Sequence, residues 1–181
     1  MNKKFLIVNE KLNLRLADEK FADPLYQILA SQKDYLRKWL GWVQEIETYE
    51  DLLNYLKTSR LFNHGGQKLI TFIFFEEKLV GSVALVKIWK ENNSAELGYW
   101  IIEEMQGKGI VSQCCQSILD YAFEEKGLHR IELNVEPHNK KSIALAEKMG
   151  FQLEGRMRDF LLLNEEYHDL EKYSLLESEW K

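Results

Sequence analysis

The chain has 181 residues, 45% of them hydrophobic and 29% charged, with a formal net charge of −5. This is enough chain for one domain with a buried core, spanning 1–181, and its acidic balance argues against nonspecific nucleic-acid binding while suiting a positively charged partner or substrate. No apolar run approaches the roughly 18 residues that span a bilayer, the N-terminal MNKKFLIV is too short for a signal peptide, and the only cysteines, Cys114 and Cys115, are adjacent and cannot frame a disulfide scaffold. A reducing cytoplasm is the expected compartment.

In chain order, Leu12, Leu14 and Leu16 alternate with Asn13 and Arg15, which is strand spacing. Asp18 is placed to cap a helix carrying Phe21, Leu25, Ile28 and Leu29, and a second helical piece with Tyr35, Leu36, Trp39, Leu40 and Val43 follows. Gly41, in the run Trp39 to Trp42, is expected to end it. Thr48 and Asp51 resemble a capping box ahead of a helix with Leu52, Tyr55 and Leu56. Asn63-His64-Gly65-Gly66 reads as a turn. The period then changes: Leu69 to Phe75 and Leu79 to Trp89 are β-branched and aromatic, with a turn at 76–78 and another at 91–94. Three successive strands joined by short turns are most simply antiparallel.

The third strand, 95–102, leads into Gln106-Gly107-Lys108-Gly109 and then a helix whose inner face carries Val111, Cys114, Cys115, Ile118, Leu119 and Ala122. Two glycines let backbone amides approach a ligand, and the helix points its free N–H groups and positive dipole end at the loop. This is either a phosphate or pyrophosphate site or an ordinary glycine turn. The strand 128–135 follows a helix and can lie parallel to its predecessor. Asn139 caps a short helix with Ala144, Leu145 and Met149 inward and Gly150 at its end. Phe151 to Leu153 extend again, and 158–180 reads as a hairpin with strands 160–163 and 170–176 and its tip at 164–168. The architecture is a mixed α+β sheet with helices on both faces.

Several chemistries are excluded. A third glycine for a dinucleotide fingerprint is missing, and the loop comes late, after antiparallel strands. Gly107-Lys108-Gly109 lacks the metal-binding hydroxyl of a nucleotidase loop. The four histidines show no ligand spacing, so no metal is expected. There is no Gly-x-Ser-x-Gly elbow.

With these residues in view, the chain resembles the GNAT superfamily of N-acetyltransferases, which bind acetyl-CoA. Gln106 to Val111 is similar to the Gln/Arg-x-x-Gly-x-Gly/Ala loop of that superfamily, with Val111 in place of the final small residue. Asn139 to Phe151 with Leu153-Glu154-Gly155 and Arg158, Leu36 to Trp42, and the ending His168-Asp169, Tyr173 to Leu176, Glu179-Trp180 are similar to the RimJ/RimL branch, and above all to its YdaF-like members. That branch acetylates α-amino groups of ribosomal proteins, and the resemblance covers about the whole chain.

The resemblance implies a seven-stranded, mostly antiparallel sheet whose fourth and fifth strands, 95–102 and 128–135, splay apart to admit the thioester. It implies that backbone groups of Trp100, Ile101 and Ile102 bond the pantetheine arm. The segment Gln106, Gly107, Lys108, Gly109, Ile110, Val111, Ser112 would then hold the pyrophosphate, with Asn139 and Ser142 near pantetheine and sulfur. Glu96 stands where histone-acetyltransferase relatives carry a catalytic glutamate; it is either the general base or a half-buried carboxylate in an ion pair. Ser142 is either the donor to the departing thiolate or a capping hydroxyl, because the tyrosine many relatives carry four residues on is Ala146 here. An amide near Tyr99 or Trp100 would form the oxyanion hole.

Trp39, Trp42 and Tyr99 are candidates for the acceptor side, although aromatics at helical spacing are more often core. Cys114 and Cys115 read as packing rather than as acyl carriers, His168-Asp169 as structural or rim residues, and the acidic run from Glu45 to Asp51 as a solvated face. The expected reaction is acetyl transfer to a protein N-terminal α-amine. A small amine such as a polyamine, amino acid or aminoglycoside is the alternative acceptor, and a non-catalytic acyl-CoA-binding module the alternative class. Neither a membrane nor direct nucleic-acid binding is expected, and pairing of two copies is.

Overall fold

The computed structural model describes residues 5–180. Met1 to Lys4, including the two lysines weighed against a signal peptide, and Lys181 lie outside them. Eight strands form one sheet: β1 (Leu6–Ile7), β2 (Leu12–Leu16), β3 (Leu69–Phe75), β4 (Lys78–Trp89), β5 (Ser94–Ile101), β6 (Arg130–Val135), β7 (Gln152–Leu163) and β8 (Glu166–Leu176). Their order across the sheet is β1-β2-β3-β4-β5-β6-β8-β7. All neighbours are antiparallel except β5 and β6. Four helices flank it: α1 (Ala22–Leu36), α2 (Tyr49–Gly65), α3 (Ile110–Asp120) and α4 (Lys140–Lys148).

The sheet separates two cores. On one face Leu25 and Leu29 of α1 and Leu52 and Leu56 of α2 meet Ile70, Phe72 and Phe74 of β3. On the other, Cys114, Cys115, Ile118 and Leu119 of α3 meet Val83, Leu85, Leu97 and Ile131. β3 is therefore buried on both faces, which is why LITFIFF reads as a continuous apolar run rather than an alternation. Buried leucines contribute roughly 1.5–3 kcal/mol each by removal of apolar area from water.

The structure departs from the sequence expectations in four places. The sheet has eight strands, not seven; the added β1 pairs only Leu6 with Leu14 and Ile7 with Asn13, and two residues are too few to show an alternation. The second helical piece is not one element: α1 stops at Leu36, with a non-helical Gln32 (φ −130°), and Gly41–Val43 is a single 3-10 turn. Gln32 binds the Glu103 amide and the Glu104 carboxylate, contacts remote in sequence. The turn expected at 63–66 is helix through Gly65, capped by a left-handed Gly66, because the Asn63 side chain holds the Ile70 amide and carbonyl instead of turning the backbone. Last, the C-terminal hairpin is longer, beginning at Gln152 with a two-residue tip at Asn164-Glu165; register shifts between Leu153 and Gly155 and between Met157 and Leu161 break the alternation. Among the described residues no helix is long and apolar enough to cross a membrane.

Candidate active site

Gly107 and Gly109 both have φ of +72°, the left-handed region where a side chain is disfavoured. A Cβ on Gly107 would meet no protein atom within 4 Å, so the space beside the loop is open. Gly109 is the N-cap of α3 and supplies no side-chain cap; the first helical bond runs from the Gln113 amide to the Gly109 carbonyl (3.1 Å). The amides of Ile110, Val111 and Ser112 thus precede any intrahelical partner and line a cleft. Such a terminus suits an anion.

β5 forms the floor of that cleft. It pairs with β6 only at Ser94 with Arg130, Ala95 with Ile131 and Glu96 with Glu132, so the two strands part beyond Glu96. On its other side the Ile102 amide donates to the Val80 carbonyl (2.9 Å), with Trp100 opposite Ser82 and Ile101 opposite Gly81. Bonded and non-bonded pairs alternate in an antiparallel ladder. The backbone groups of Tyr99 and Ile101 therefore turn toward the gap, while those of Trp100 and the Ile102 amide turn toward β4. Of the three residues expected to offer backbone bonds there, only Ile101 faces the gap, and Tyr99 joins it.

Two cavities meet at this gap. The larger, about 1000 Å³, is lined by Trp100, Ile101, Gln106, Gly107, Gly109, Ile110, Val111 and Ser112, together with Lys140, Lys141 and Lys148; its one carboxylate is Glu103. The smaller, about 250 Å³, holds Glu96, Asn134 and Glu136 among apolar walls that include Leu161 and Leu170. Trp39, Leu40, Tyr99, Asn139 and Ser142 line both. One compartment is thus basic and the other acidic, and they communicate where β5 and β6 separate. A diphosphate-bearing thioester fits the first, with free amides and lysines to hold it and an open gap beside it.

The candidate residues distribute unevenly. Asn139 caps α4, its Oδ1 accepting from the Ser142 amide at 3.1 Å. The capping group is therefore the carboxamide, which leaves the Ser142 hydroxyl facing the cavities. The Tyr99 hydroxyl lies against Ser142 but is buried without a hydrogen bond of normal geometry, and burial pushes its pKa well above the usual phenol range. Ala146, in the place of the tyrosine of many relatives, is fully buried. Glu96 Oε1 accepts from Asn134 Nδ2 at 3.1 Å and has no ion-pair partner among the described residues.

Gln106 bridges the cleft, bonding the Tyr35 hydroxyl on one side and Lys141 Nζ (2.6 Å) on the other. Burial, and then the Glu103 carboxylate, raise the pKa of Tyr35.

Three candidates lie off the cavities. Trp42 stacks on Tyr55 at 4.7 Å and 9° and packs in the core, so it is wall support rather than an acceptor contact. Lys108 points outward, with Nζ 3.3 Å from Met105 Sδ, and Ile102 packs against the core. The thiols of Cys114 and Cys115 are buried on α3; burial lifts Cys114 to about 12 and Cys115 well above normal, which disables them as nucleophiles. His168 pairs with Glu136 (3.3 Å) rather than with Asp169, which accepts from the Asp159 amide. Glu45, Glu47 and Glu50 are exposed, as a solvated face requires.

Sequence reasoning missed Tyr35, Asn134, Glu136 and the lysines of α4. The alternation of β6 marks Asn134 as sharing a face with Glu132 and Arg130, but nothing local says that the neighbouring strand departs there.

Comparison with known proteins agrees with this geometry. Residues 11–152 match the family model described as acetyltransferase (GNAT) domain. The chain is 34% identical over 177 residues to YdaF of Bacillus subtilis, covering 96% of each chain. It is 31% identical to the ribosomal-protein-serine acetyltransferase of Escherichia coli, covering 92% of this chain and 93% of that one. Among solved structures, RimL, the ribosomal L7/L12 α-N-protein acetyltransferase in complex with coenzyme A, superposes with a TM-score of 0.90 at 29% identity, over 94% of this chain and 96% of that one. The sheet that splays at β5 and β6, the uncapped helix after a glycine loop and these matches together make the chain a member of the GNAT acetyltransferase family.

Proposed function

We propose that this protein transfers the acetyl group of acetyl-CoA to a primary amine, and that the amine is the N-terminal α-amine of a protein, as in its ribosomal-protein-modifying relatives. The observation that carries the reading is the junction of a basic cleft with an acidic recess across an open gap between parallel strands. An anionic thioester and a cationic amine are each drawn to their own side and meet where Tyr99 and Ser142 lie.

In this reading the amides of 107–112 and the lysines of α4 hold the diphosphate, and the gap-facing backbone of Ile101 and Tyr99 takes the pantetheine as a strand. The bound coenzyme supplies an activated acetyl thioester. Glu96, through a water, removes a proton from the amine; an α-amine with a reference pKa near 8 asks little of its base. The Tyr99 amide faces the carbonyl oxygen as charge develops on it, and the Ser142 hydroxyl donates to the departing sulfur. The protein acts in the cytoplasm and pairs through the exposed edge of β7, where Leu153, Phe160 and Leu162 stand in solvent.

A panel of N-terminal peptides and small amines, assayed for release of the CoA thiol, tests the assignment. Peptides with a free α-amine should outperform polyamines and amino acids, and binding of acetyl-CoA without turnover on any amine would reduce the protein to an acyl-CoA-binding module. Glu96→Gln should lower kcat/KM by about a hundredfold, the usual contribution of a general base. An unchanged profile from about pH 6 to 9 would remove Glu96 from that role.

A further inference from the structure

Resting on the acetyl-transfer reading, we infer that Glu136 is the carboxylate that binds the incoming ammonium group, separately from any proton removal at Glu96. Glu136 follows β6 at the far side of the gap, in the same recess as Glu96 and Asn134. Its side chain is only 10% exposed, and among the described residues the one basic group within ion-pair distance is His168 Nδ1 at 3.3 Å. Lys172, the lysine on the same face of β8, is held by Glu132 at 2.9 Å. Among the described residues that line the recess there is no lysine or arginine. Two partly buried carboxylates in a recess lined by no lysine or arginine, one of them paired with an imidazole, favour a cation.

A second, independent feature points to a ligand rich in donors. Asn134 Nδ2 is engaged by Glu96, which orients Oδ1 away from that carboxylate, and Oδ1 is buried with no donor to satisfy it. The Tyr99 hydroxyl, beside Ser142, also lacks a hydrogen bond of normal geometry. Unsatisfied buried acceptors are expensive. An ammonium group brings three donors and no acceptor, which suits a recess whose carboxylates and amide oxygen are all acceptors. The amine docks charged against Glu136, then gives one proton toward Glu96 and attacks neutral. Acceptors with an acidic group at or beside the amine are excluded by the same charges.

The test compares wild type with Glu136→Gln, using a hexapeptide that begins with serine and the same peptide lacking its α-amine as a competitive inhibitor. The acceptor KM should rise by about tenfold or more, the loss of one charge-assisted contact, while kcat, the KM for acetyl-CoA and CoA affinity stay unchanged. The inhibition constant of the peptide lacking the amine should not move, since that ligand never reaches Glu136. Glu136→Asp, which keeps the charge, should fall between the two and guards against a misfolded Gln variant. An unchanged acceptor KM, or a rise shared equally by the peptide lacking the amine, overturns the assignment of Glu136 alone. Failure of the wild type to acetylate any amine overturns the acetyl-transfer reading and this inference with it.

Discussion

The N-termini of α2 and α3 lie on opposite faces of the sheet and are finished in opposite ways. At α2, Thr48 Oγ1 accepts from the Asp51 amide (3.2 Å) and Asp51 Oδ2 accepts from the amides of Thr48 (2.8 Å) and Glu47 (3.2 Å), so the orphan donors are met from within the chain. At α3 the corresponding place is Gly109, with no side chain to offer, and the amides that follow open into the large cleft. Both helices need the same groups satisfied. A helix end closed by its own residues stabilises the fold; one left open at a cavity is, in the proposed function, the place of the diphosphate.

The sharpest way to break that comparison is to close the α3 terminus from within. Gly109→Asp places a carboxylate where the phosphates would sit, and should weaken CoA binding by at least about a hundredfold, roughly 2.7 kcal/mol, read by calorimetry. The left-handed backbone at that site adds about 1 kcal/mol of strain, which thermal unfolding would register separately. Normal CoA affinity in this variant would show that α3 is as structural as α2.

Thr48→Ala does the converse. It should cost about 1 kcal/mol of stability and leave CoA affinity untouched; a fall in affinity would mean that α2 is coupled to the cleft. The smallest effect is the pH dependence of that cap. The Thr48 hydroxyl and amide hold the Asp51 pKa below its ordinary value. Its contribution is complete above the unfolded carboxylate pKa, near 4, and is lost as pH falls through the lower folded value. The gap in Tm between wild type and Thr48→Ala should therefore narrow in strong acid. A constant gap would mean that the bond from the Thr48 hydroxyl to the Asp51 carboxylate contributes nothing.

Much of the site was legible where chemistry is local. The Thr48–Asp51 box and the Asn139 cap follow from residue types and spacing over three or four positions, and each stands where the pattern put it. The helix that Trp39 and Trp42 suggested was not there, because aromatic spacing cannot distinguish a helix from a turn packed against Tyr55 and Trp100. Glu136 and Asn134 were invisible as site residues, since their importance depends on where β5 leaves β6, which neither strand records.

Taken alone, the chain determined most of its element types, its caps, the loop that withholds a cap from α3, and the family to which those motifs belong. Tertiary structure alone decided that β5 and β6 pair at three positions and then part, that the backbone groups of Tyr99 and Ile101 rather than those of Trp100 face the opening, and that the lysines of α4 and the carboxylates of Glu96 and Glu136 sort into opposite compartments. The reason is range: capping and periodicity act across one or two turns, whereas a gap between strands and the sign of a cavity are sums over residues far apart in sequence.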